Sequence, residues 1–407
     1  MRVARSLLAP AGVIAAVLGT AVVSVTGGRS TTALSEASTA SVTSIHEVGT
    51  TTTGTTKTGT TKTGTTTTGT TKTGNVATKA PGWRLVATVG EAHGKLVSGS
   101  IAATSGTTAW SVWTGSGFAE VARWTGKTWV KMPLPAKYAA YAHAAITFAG
   151  ASADDFWLFS SAHRTQALHW NGKSWQLIAL PSWVLVARAA GASAVAFGPG
   201  NVWIFSLGAG AVAAHYNGQV WAKVKLPDAP VAVAGLAAGD IFVLAKNSVL
   251  RWTGSKWHTI GGIPPVPIPI GGSFTADGFT ASGPGNAWLA ASAYDKPGNL
   301  LGRFLFHWNG KSWTTVPRPA NVDFGSLVSD GTGGLWASGV VTDNPGGFWN
   351  FYHLSGGHWT EVAPPTPVFN HEQEHLTWIP GTRSVWGVGT IYNTKGDLDT
   401  GILKYGA

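Results

Sequence analysis

The string His371-Glu372-Gln373-Glu374-His375 is the part of this sequence with the clearest potential for chemistry. It matches the HExxH pattern and its inverted form, in which two histidines one helical turn apart bind zinc beside a catalytic glutamate. That chemistry requires a helix, whereas the flanking PPTPVFN and LTWIPGTRSVW segments are typical of a loop that leads into a strand. We therefore expect a polar loop without a resident metal or cofactor; metal binding by the loop is the open alternative.

Aromatic, imidazole and charged residues that belong to no repeated position form a wider set of binding candidates. They are Tyr138, Tyr141, His143, Trp183, Arg188, Asp277, Asp323, His371, Glu372, Glu374 and His375. Aromatic rings combined with acids and histidines suit the recognition of a sugar or a peptide. Pairs of acids from this set would instead serve a carbohydrate-active hydrolase or lyase. We assign no catalytic residue.

A short phrase that recurs six times must position these candidates. It reads RWTGKTWVKMPLP at 123–135 and HWNGKSWQLIALP at 169–181, and further copies begin at 215, 251, 307 and 353. The second aromatic residue of successive copies recurs on average about every 46 residues. A period of this length is typical of propellers and solenoids.

Each phrase predicts a β-hairpin. Gly at the tip supplies the positive φ that a tight turn requires, and the aromatics on either side face each other across the two strands. In the second copy, a two-residue Gly172-Lys173 loop places Trp170 opposite Trp175, whereas an Asn-Gly loop shifts the register by one residue. Both alternatives preserve the hairpin.

Seven strand signals accompany the six hairpins. Examples are DDFWLFS at 154–160 and GNVWIFS at 200–206, and a small apolar stretch precedes each signal. Four short strands per repeat correspond to a propeller blade. The seventh unit ends at ILKYGA without an outer strand, and PGWRLVATV at 81–89 can supply it. The sequence thus predicts an all-β, seven-bladed β-propeller of four-stranded blades over 82–407, in which the N-terminal strand, at about 82–90, completes the last blade.

One residue per blade, directly before the first hairpin aromatic, is basic or a histidine. These residues are Arg123, His169, His215, Arg251, His307, His353 and Lys404. Equivalent positions around a ring cannot converge on one metal, so we expect a repeated structural contact, cationic or stacked, against a Trp. The repeated Trp residues, by the same reasoning, belong to the packing between blades.

With these repeats the chain resembles bacterial secreted β-propellers that carry Trp-x-Gly-x-x-Trp repeats and, more loosely, the kelch and galactose-oxidase-type propellers. The resemblance covers 82–407 and implies the propeller fold. The paired glycines of kelch repeats and the signatures of WD40 blades are missing or partial. The resemblance therefore implies no catalytic residue.

The first 81 residues predict a cellular address. Two Arg and an apolar stretch over 7–25 are typical of an export signal, so 1–40 is expected to be that signal or, if it is not cleaved, a membrane anchor. From Gly49 the chain repeats GTTTT and GTTKT, which offer no apolar residue to bury, so 41–81 should form a flexible stalk. We expect an extracellular or surface-anchored protein of a bacterium.

Composition excludes several classes of function. The chain has 0 Cys, which excludes disulfides, thiolate metal sites and thiol nucleophiles. Half of its net charge of +10 lies in the leader and stalk, and the propeller, at about +5, has no basic run, so no nucleic-acid partner is expected. We interpret the chain as a monomeric, non-enzymatic propeller for an extracellular polysaccharide or protein. It should bind through one face of the central channel, with a groove expected over blades five to seven, and the hydrolase or lyase is the alternative.

Overall fold

Seven antiparallel sheets of four strands each form a ring, so the chain is a seven-bladed β-propeller, as predicted. The computed structural model describes residues 15–18, 21–23, 82–91, 98–115, 118–139, 146–184, 192–207, 210–264, 266–270, 272–342, 349–365, 375–392 and 398–406. In every blade the strands follow one another in space from the central channel to the outer rim.

The strands are as follows in chain order. Before the first blade lie β1 (Ala15–Leu18), β2 (Ala21–Val23) and β3 (Trp83–Glu91). Blade 1 comprises β4 (Ser98–Ser105), β5 (Thr108–Gly115), β6 (Phe118–Trp124) and β7 (Trp129–Lys131), and a short helix, α1 (Ala136–Ala139), follows it. Blade 2 comprises β8 (Ile146–Ser152), β9 (Asp155–Ser160), β10 (Gln166–Trp170) and β11 (Trp175–Ala179). Blade 3 comprises β12 (Ala192–Ala196), β13 (Val202–Ser206), β14 (Val212–Tyr216) and β15 (Trp221–Lys225).

The remaining blades follow the same order. Blade 4 comprises β16 (Pro230–Ala237), β17 (Asp240–Ala245), β18 (Ser248–Trp252) and β19 (Trp257–Gly262). Blade 5 comprises β20 (Ser273–Gly283), β21 (Asn286–Tyr294), β22 (Leu300–Trp308) and β23 (Trp313–Thr315). Blade 6 comprises β24 (Val322–Ser329), β25 (Leu335–Val341), β26 (Asn350–Ser355) and β27 (His358–Val362). Blade 7 comprises β28 (His375–Trp378), β29 (Val385–Tyr392), β30 (Leu398–Tyr405) and β3.

The backbones of β1 and β2 lie among the innermost strands. β1 pairs with β2 and, in parallel, with β20, while β2 pairs with β8, so blades 2 and 5 are joined through them. Within the described part of the chain, no helix is long and apolar enough to cross a membrane. The assignments of 1–40 to an export signal or anchor and of 41–81 to a stalk stay predictions.

The outer two strands of each blade form the predicted hairpins. Trp170 stands directly opposite Trp175, which is the register of the two-residue Gly172-Lys173 loop. Gly172 has a φ of 88°, and a Cβ there would lie 2.8 Å from the Cβ of Asp154, so both the conformation and the space require glycine. The side-chain oxygen of Asn171 accepts the backbone N–H of Ser174 at 2.9 Å and closes the turn.

The ring is closed by the N-terminal strand, as the sequence predicted. β3 pairs antiparallel with β30, and Trp83 faces Tyr405 across them. The Trp83 ring also stacks on Phe351 of blade 6, with ring centroids 3.9 Å apart. The strand that begins the propeller therefore holds its last blade against the preceding one.

A stacked pair of side chains occupies the middle of each blade. In blade 2, the His169 ring stacks on Trp157 with centroids 4.1 Å apart and planes 16° apart. Asp155 fixes both rings, because its Oδ1 accepts Trp157 Nε1–H at 2.9 Å and lies 2.7 Å from His169 Nε2. Blade 3 repeats the arrangement with Trp203, His215 and Asn201. The other blades place Arg123 over Trp110, Arg251 over Phe242, His307 on Trp288, His353 on Trp336 and Lys404 over Trp386. The predicted structural contact is confirmed.

The same second-strand aromatics contact the next blade. Trp157 meets Tyr216 and Trp221 of blade 3 at centroid distances of 5.4 and 6.3 Å. Seven buried apolar clusters, one at each interface between adjacent blades, are built in this way from the described residues. The repeated Trp residues are therefore core residues, as expected, and a ligand surface must be made of others.

We expect Asp155→Ala to lower the free energy of unfolding by about 2–3 kcal/mol, because buried Trp157 Nε1–H and His169 lose their shared partner. Urea denaturation of the purified protein measures the change. Asp154→Ala is the matched control: its side chain is 72% exposed, so we expect a change within about 0.5 kcal/mol. Equal effects of the two substitutions would contradict the role assigned to Asp155.

Candidate functional site at the link face

The links between blades and the loops between second and third strands lie at one end of the ring, because successive antiparallel strands alternate in direction. We call this end the link face. The hairpin tips, including Gly172, lie at the opposite end. Residues outside the repeat are concentrated in the links and loops, so the link face is where a binding site can differ from blade to blade.

A cavity of about 140 Å³ lies at the link face between blades 2 and 3. It is lined by Trp183, Val184, Ile204, Ser206, Gly210, Val212, Ala213, Ala214 and Lys223. A cavity of roughly 150 Å³ holds a single six-membered ring. The polar side chains of the lining are those of Ser206 and Lys223, and none of the lining residues is acidic.

Trp183 is held in the cavity wall by a turn that follows β11. The Val184 N–H donates to the Pro181 carbonyl oxygen at 2.9 Å, and the Val184 side chain is buried in the cluster between blades 2 and 3. Trp183, one residue earlier, stays partly exposed beside that anchor. The sequence singled out Trp183 as an off-register ring, and the structure places it at this cavity.

Lys223 supplies the charge of the cavity. Its Nζ lies 5.9 Å from the centroid of the Trp183 ring. Alternate residues of a strand share one side, so Lys223 and Lys225 stand on the same side of β15 as Trp221, which packs against Trp157 of blade 2. Both lysines therefore project toward the groove between blades 2 and 3.

A second group of polar side chains lies at the link face of blade 5. Thr275, Ser292 and Arg303 are register partners on β20, β21 and β22. Asp277 occupies a β-bulge in β20, where its carboxylate accepts the hydroxyls of Thr275 at 2.8 Å and Ser292 at 2.6 Å. Burial raises the pKa of Asp277 to about 6, and these two hydrogen bonds oppose the rise.

This group continues into blade 6 through an ion pair. Arg303 donates to both oxygens of Asp323, from Nε and Nη2, each at 3.0 Å. Arg318 lies 4.4 Å from the centroid of the Phe324 ring and donates to the Val322 carbonyl oxygen. Burial lowers the pKa of Arg318 to about 10, against the charge of Asp323. The carboxylates of Asp277 and Asp323 thus lie in one network, and all four of their oxygens are engaged.

Some of the other predicted site residues are buried, and others fall outside the described part of the chain. Tyr138 was expected on the binding face, but it lies in α1, 3% exposed, and packs on His163 with ring centroids 3.9 Å apart. The Tyr138 ring is part of the apolar cluster between blades 1 and 2 rather than of an exposed surface. Six predicted residues lie outside the described part of the chain: Tyr141, His143, Arg188, His371, Glu372 and Glu374.

His375, the last residue of the HExxH string, is also buried. It is the first residue of β28, the innermost strand of blade 7, and its side chain faces protein rather than solvent. Burial lowers its pKa to about 4, so the imidazole is neutral at physiological pH. Over the residues that the structure describes, no group of three or more His, Asp or Glu side chains has the arrangement of a metal site.

Sequence reasoning missed Lys223, Ser206 and the two arginines of the charged network. Lys223 was not predicted because it belongs to a hairpin phrase, whose residues were assigned to the repeated structure together with Trp221. Strand alternation between Trp221 and Lys225 is the signal that would have found it. The groove expected over blades five to seven involves segments outside the described residues, whereas the described cavity lies between blades 2 and 3.

No protein-family model and no curated protein matches this sequence. Among solved structures, the chain is similar to SapL1 lectin in complex with α-methyl fucoside, at 16% identity and a TM-score of 0.41, over 68% of this chain and 100% of that one. It is similar to the Aleuria aurantia lectin, a six-bladed β-propeller, at 14% identity and a TM-score of 0.38, over 76% of this chain and 91% of that one. It is also similar to YjhT, at 13% identity and a TM-score of 0.37, over 62% of this chain and 92% of that one. Likeness of this degree says nothing about the ligand of this chain.

We expect the buried carboxyl of Asp277 to make the propeller less stable as the pH rises. Its pKa is raised from 3.8 to about 6 in the folded chain, so the folded state binds the proton more tightly than the unfolded state. Between about pH 5 and pH 7.5 this linkage lowers the free energy of unfolding by about 1.4 kcal/mol. Asp277→Asn should remove that part of the decline, as measured by urea denaturation at both pH values.

Asp295→Asn serves as the control for Asp277→Asn. Asp295 is exposed in a turn of the same blade, and hydrogen bonds from Asn299 lower its pKa, so it does not titrate in this range. This variant should keep the wild-type decline. A decline of unchanged size in Asp277→Asn would show that Asp277 does not carry the effect.

Proposed function

We propose that this protein is an exported, non-enzymatic propeller that binds an extracellular carbohydrate through the cavity beside Trp183. The observation that carries the proposal is the position of Trp183. The repeated aromatics stack within and between blades and are not available to a ligand. Trp183 lies outside the repeat, is partly exposed, and lines a cavity at the link face.

The cavity suits one sugar ring. A pyranose presents axial C–H groups on one face, which pack against a flat indole, and hydroxyls at its edge, which need hydrogen-bond partners. Trp183 offers the flat surface, and Val184, Ile204 and Val212 offer apolar walls. Lys223 offers a polar contact that fixes orientation. The volume of about 140 Å³ limits the site to one residue of a longer chain.

The engaged state of the acids favours binding over hydrolysis. A glycoside hydrolase requires one carboxyl free to protonate the leaving group and a second free to act as base or nucleophile. Here both oxygens of Asp323 hold Arg303, and both oxygens of Asp277 hold hydroxyl groups. A hydrolase or lyase that used Asp277 and Asp323 would have to break this network before either acid reached a substrate, whereas Glu372 and Glu374 lie outside the described residues.

Export and display belong to the same proposal. The charged and apolar pattern of the leader supports export to the bacterial surface, and the Thr- and Gly-rich repeat supports a flexible stalk before residue 82. A stalk would carry the link face away from the membrane and toward a surface polymer. The absence of Cys agrees with a protein that needs no disulfide partner outside the cell.

We expect Trp183→Ala to lower the affinity for a bound saccharide at least tenfold, while Trp183→Phe keeps most of it, because a phenyl ring preserves the flat surface. A glycan array identifies the saccharide, and isothermal titration calorimetry of the full chain measures the affinities. Leu177→Ala is the control, since Leu177 is an apolar residue of the same blade, 48% exposed and outside the cavity.

Two outcomes would count against the proposal. Undiminished affinity in Trp183→Ala would remove this cavity as the site, and a protein that binds no saccharide on the array would remove the function. Release of new reducing ends from a bound polysaccharide, lost in Asp277→Asn, would instead favour the hydrolase.

A further inference from the structure

We infer that the cavity beside Trp183 selects an acidic sugar, one that carries a carboxylate, so that the recognised polymer is a polyanion. The inference rests on the proposed carbohydrate binding and names the class of sugar. It is supported by the contacts of Lys223, by the charges that surround the cavity, and by the position of the exposed cations in blades 2 and 3.

Lys223 is the charged residue of the lining and is not neutralised within the cavity. Its ammonium lies over the Trp183 ring, and among the described residues it makes no ion pair with a carboxylate. None of the lining residues is acidic. A carboxylate on a sugar stacked against Trp183 would therefore meet an available positive charge at the edge of the ring.

Blades 2 and 3 carry more cations than acids. Residues 146–227 contain two Asp, Asp154 and Asp155, and five Lys or Arg, whereas residues 228–407 contain 12 Asp or Glu and ten Lys or Arg. Asp154 packs against Gly172 at the hairpin tip, at the end of the ring opposite the cavity. Blades 2 and 3 are thus positive, and the opposite side of the ring is nearly balanced. Because surface charges act over a Debye length of about 8 Å at physiological salt, this imbalance acts at the cavity itself.

The described cations of the segment are not evenly distributed between the two faces. Arg164 lies exposed in the loop between β9 and β10, at the link face, and Lys225 follows Lys223 on the same side of β15. Lys173 lies at a hairpin tip, on the opposite face. Two of these four cations stand on the side of β15 that faces the groove, a third lies at the same end of the ring, and the fourth, on the opposite face, serves as a control.

The lysine could instead act as a lid that covers the indole. Cation–π contact with Trp183 would then improve packing for any sugar, charged or neutral. The two roles differ in one measurable respect. A lid affects neutral and acidic sugars alike, whereas a charge partner changes the ratio of their affinities.

The test compares the methyl glycosides of glucose, galactose and mannose with the methyl glycosides of the corresponding uronic acids. The members of each pair differ at C6, which carries a hydroxymethyl group in the neutral sugar and a free carboxylate in the uronide. Binding to the full chain is measured by calorimetry or ligand-observed NMR at 50 mM and 500 mM NaCl. In at least one series the uronide should bind at least tenfold more tightly than the glycoside at low salt. High salt should reduce this ratio.

Substitutions assign the preference to the lysine. Lys223→Met keeps the length and apolar stem of the side chain, and it should reduce the ratio to less than twofold while the affinity for the neutral sugar stays within twofold. Lys223→Arg should retain the preference. Lys173→Met, on the opposite face, should leave both affinities unchanged.

The outcomes separate the two proposals. Neutral sugars that bind as tightly as uronides would overturn the acidic preference. A ratio that survives Lys223→Met would overturn its assignment to Lys223 and to this cavity. Both results leave carbohydrate binding standing. Equal loss for both sugars in Lys223→Met would assign the residue the role of a lid. A wild-type protein that binds no sugar of either kind, here and on the array, would overturn both proposals.

Discussion

The aromatic of the second strand in each blade is the residue on which the rest of the structure depends. It is covered on one side by a histidine or a cation from the third strand and packs on the other against the hairpin aromatics of the next blade, as Trp157 does between His169 and Trp221. Asp155 holds the two inner partners through hydrogen bonds. Stacked aromatic pairs contribute about 0.5–1.5 kcal/mol each beyond their buried area. Repeated around the ring, this contact joins each blade to its neighbour.

That constraint decides where function can be placed. A residue that stacks in the core cannot also present its face to a ligand, so the histidines and tryptophans that look like a binding array are unavailable. What remains are the links and loops at one end of the ring. Trp183 is available because Val184 anchors the turn while its own position has no counterpart in the repeat. The propeller thus provides a rigid wall, and a single irregular turn converts part of that wall into a cavity.

The charged side chains also fall into two groups, one on each side of the ring. Asp277 accepts two hydroxyl groups within blade 5, and Asp323 of blade 6 is held by Arg303 of blade 5, so this ion pair joins the two blades. Asp277 retains a raised pKa because its bulge in β20 buries the carboxyl more deeply than its two hydrogen bonds compensate. On the opposite side of the ring, Lys223 makes no ion pair with any described carboxylate, and it stands at the cavity. The first group joins two blades, and the proposed site uses the second.

The sequence by itself determined the architecture. Its six hairpin phrases, seven second-strand signals and displaced N-terminal strand were sufficient for the blade number, the hairpins and the closure of the ring, because these depend on local turn geometry and on periodicity. They left two registers open at the second hairpin, and the structure selects the one that places Trp170 opposite Trp175. It also separated repeated residues from irregular ones, which placed Trp183 among the candidates. Only the tertiary structure decided which irregular residues face a ligand. Tyr138 and Trp183 both follow outer strands in links between blades, yet one is buried and the other lines a cavity, because burial depends on contacts with residues distant in sequence. For the same reason the pairing of Arg303 with Asp323, and the approach of Lys223 to Trp183, could not be predicted from spacing.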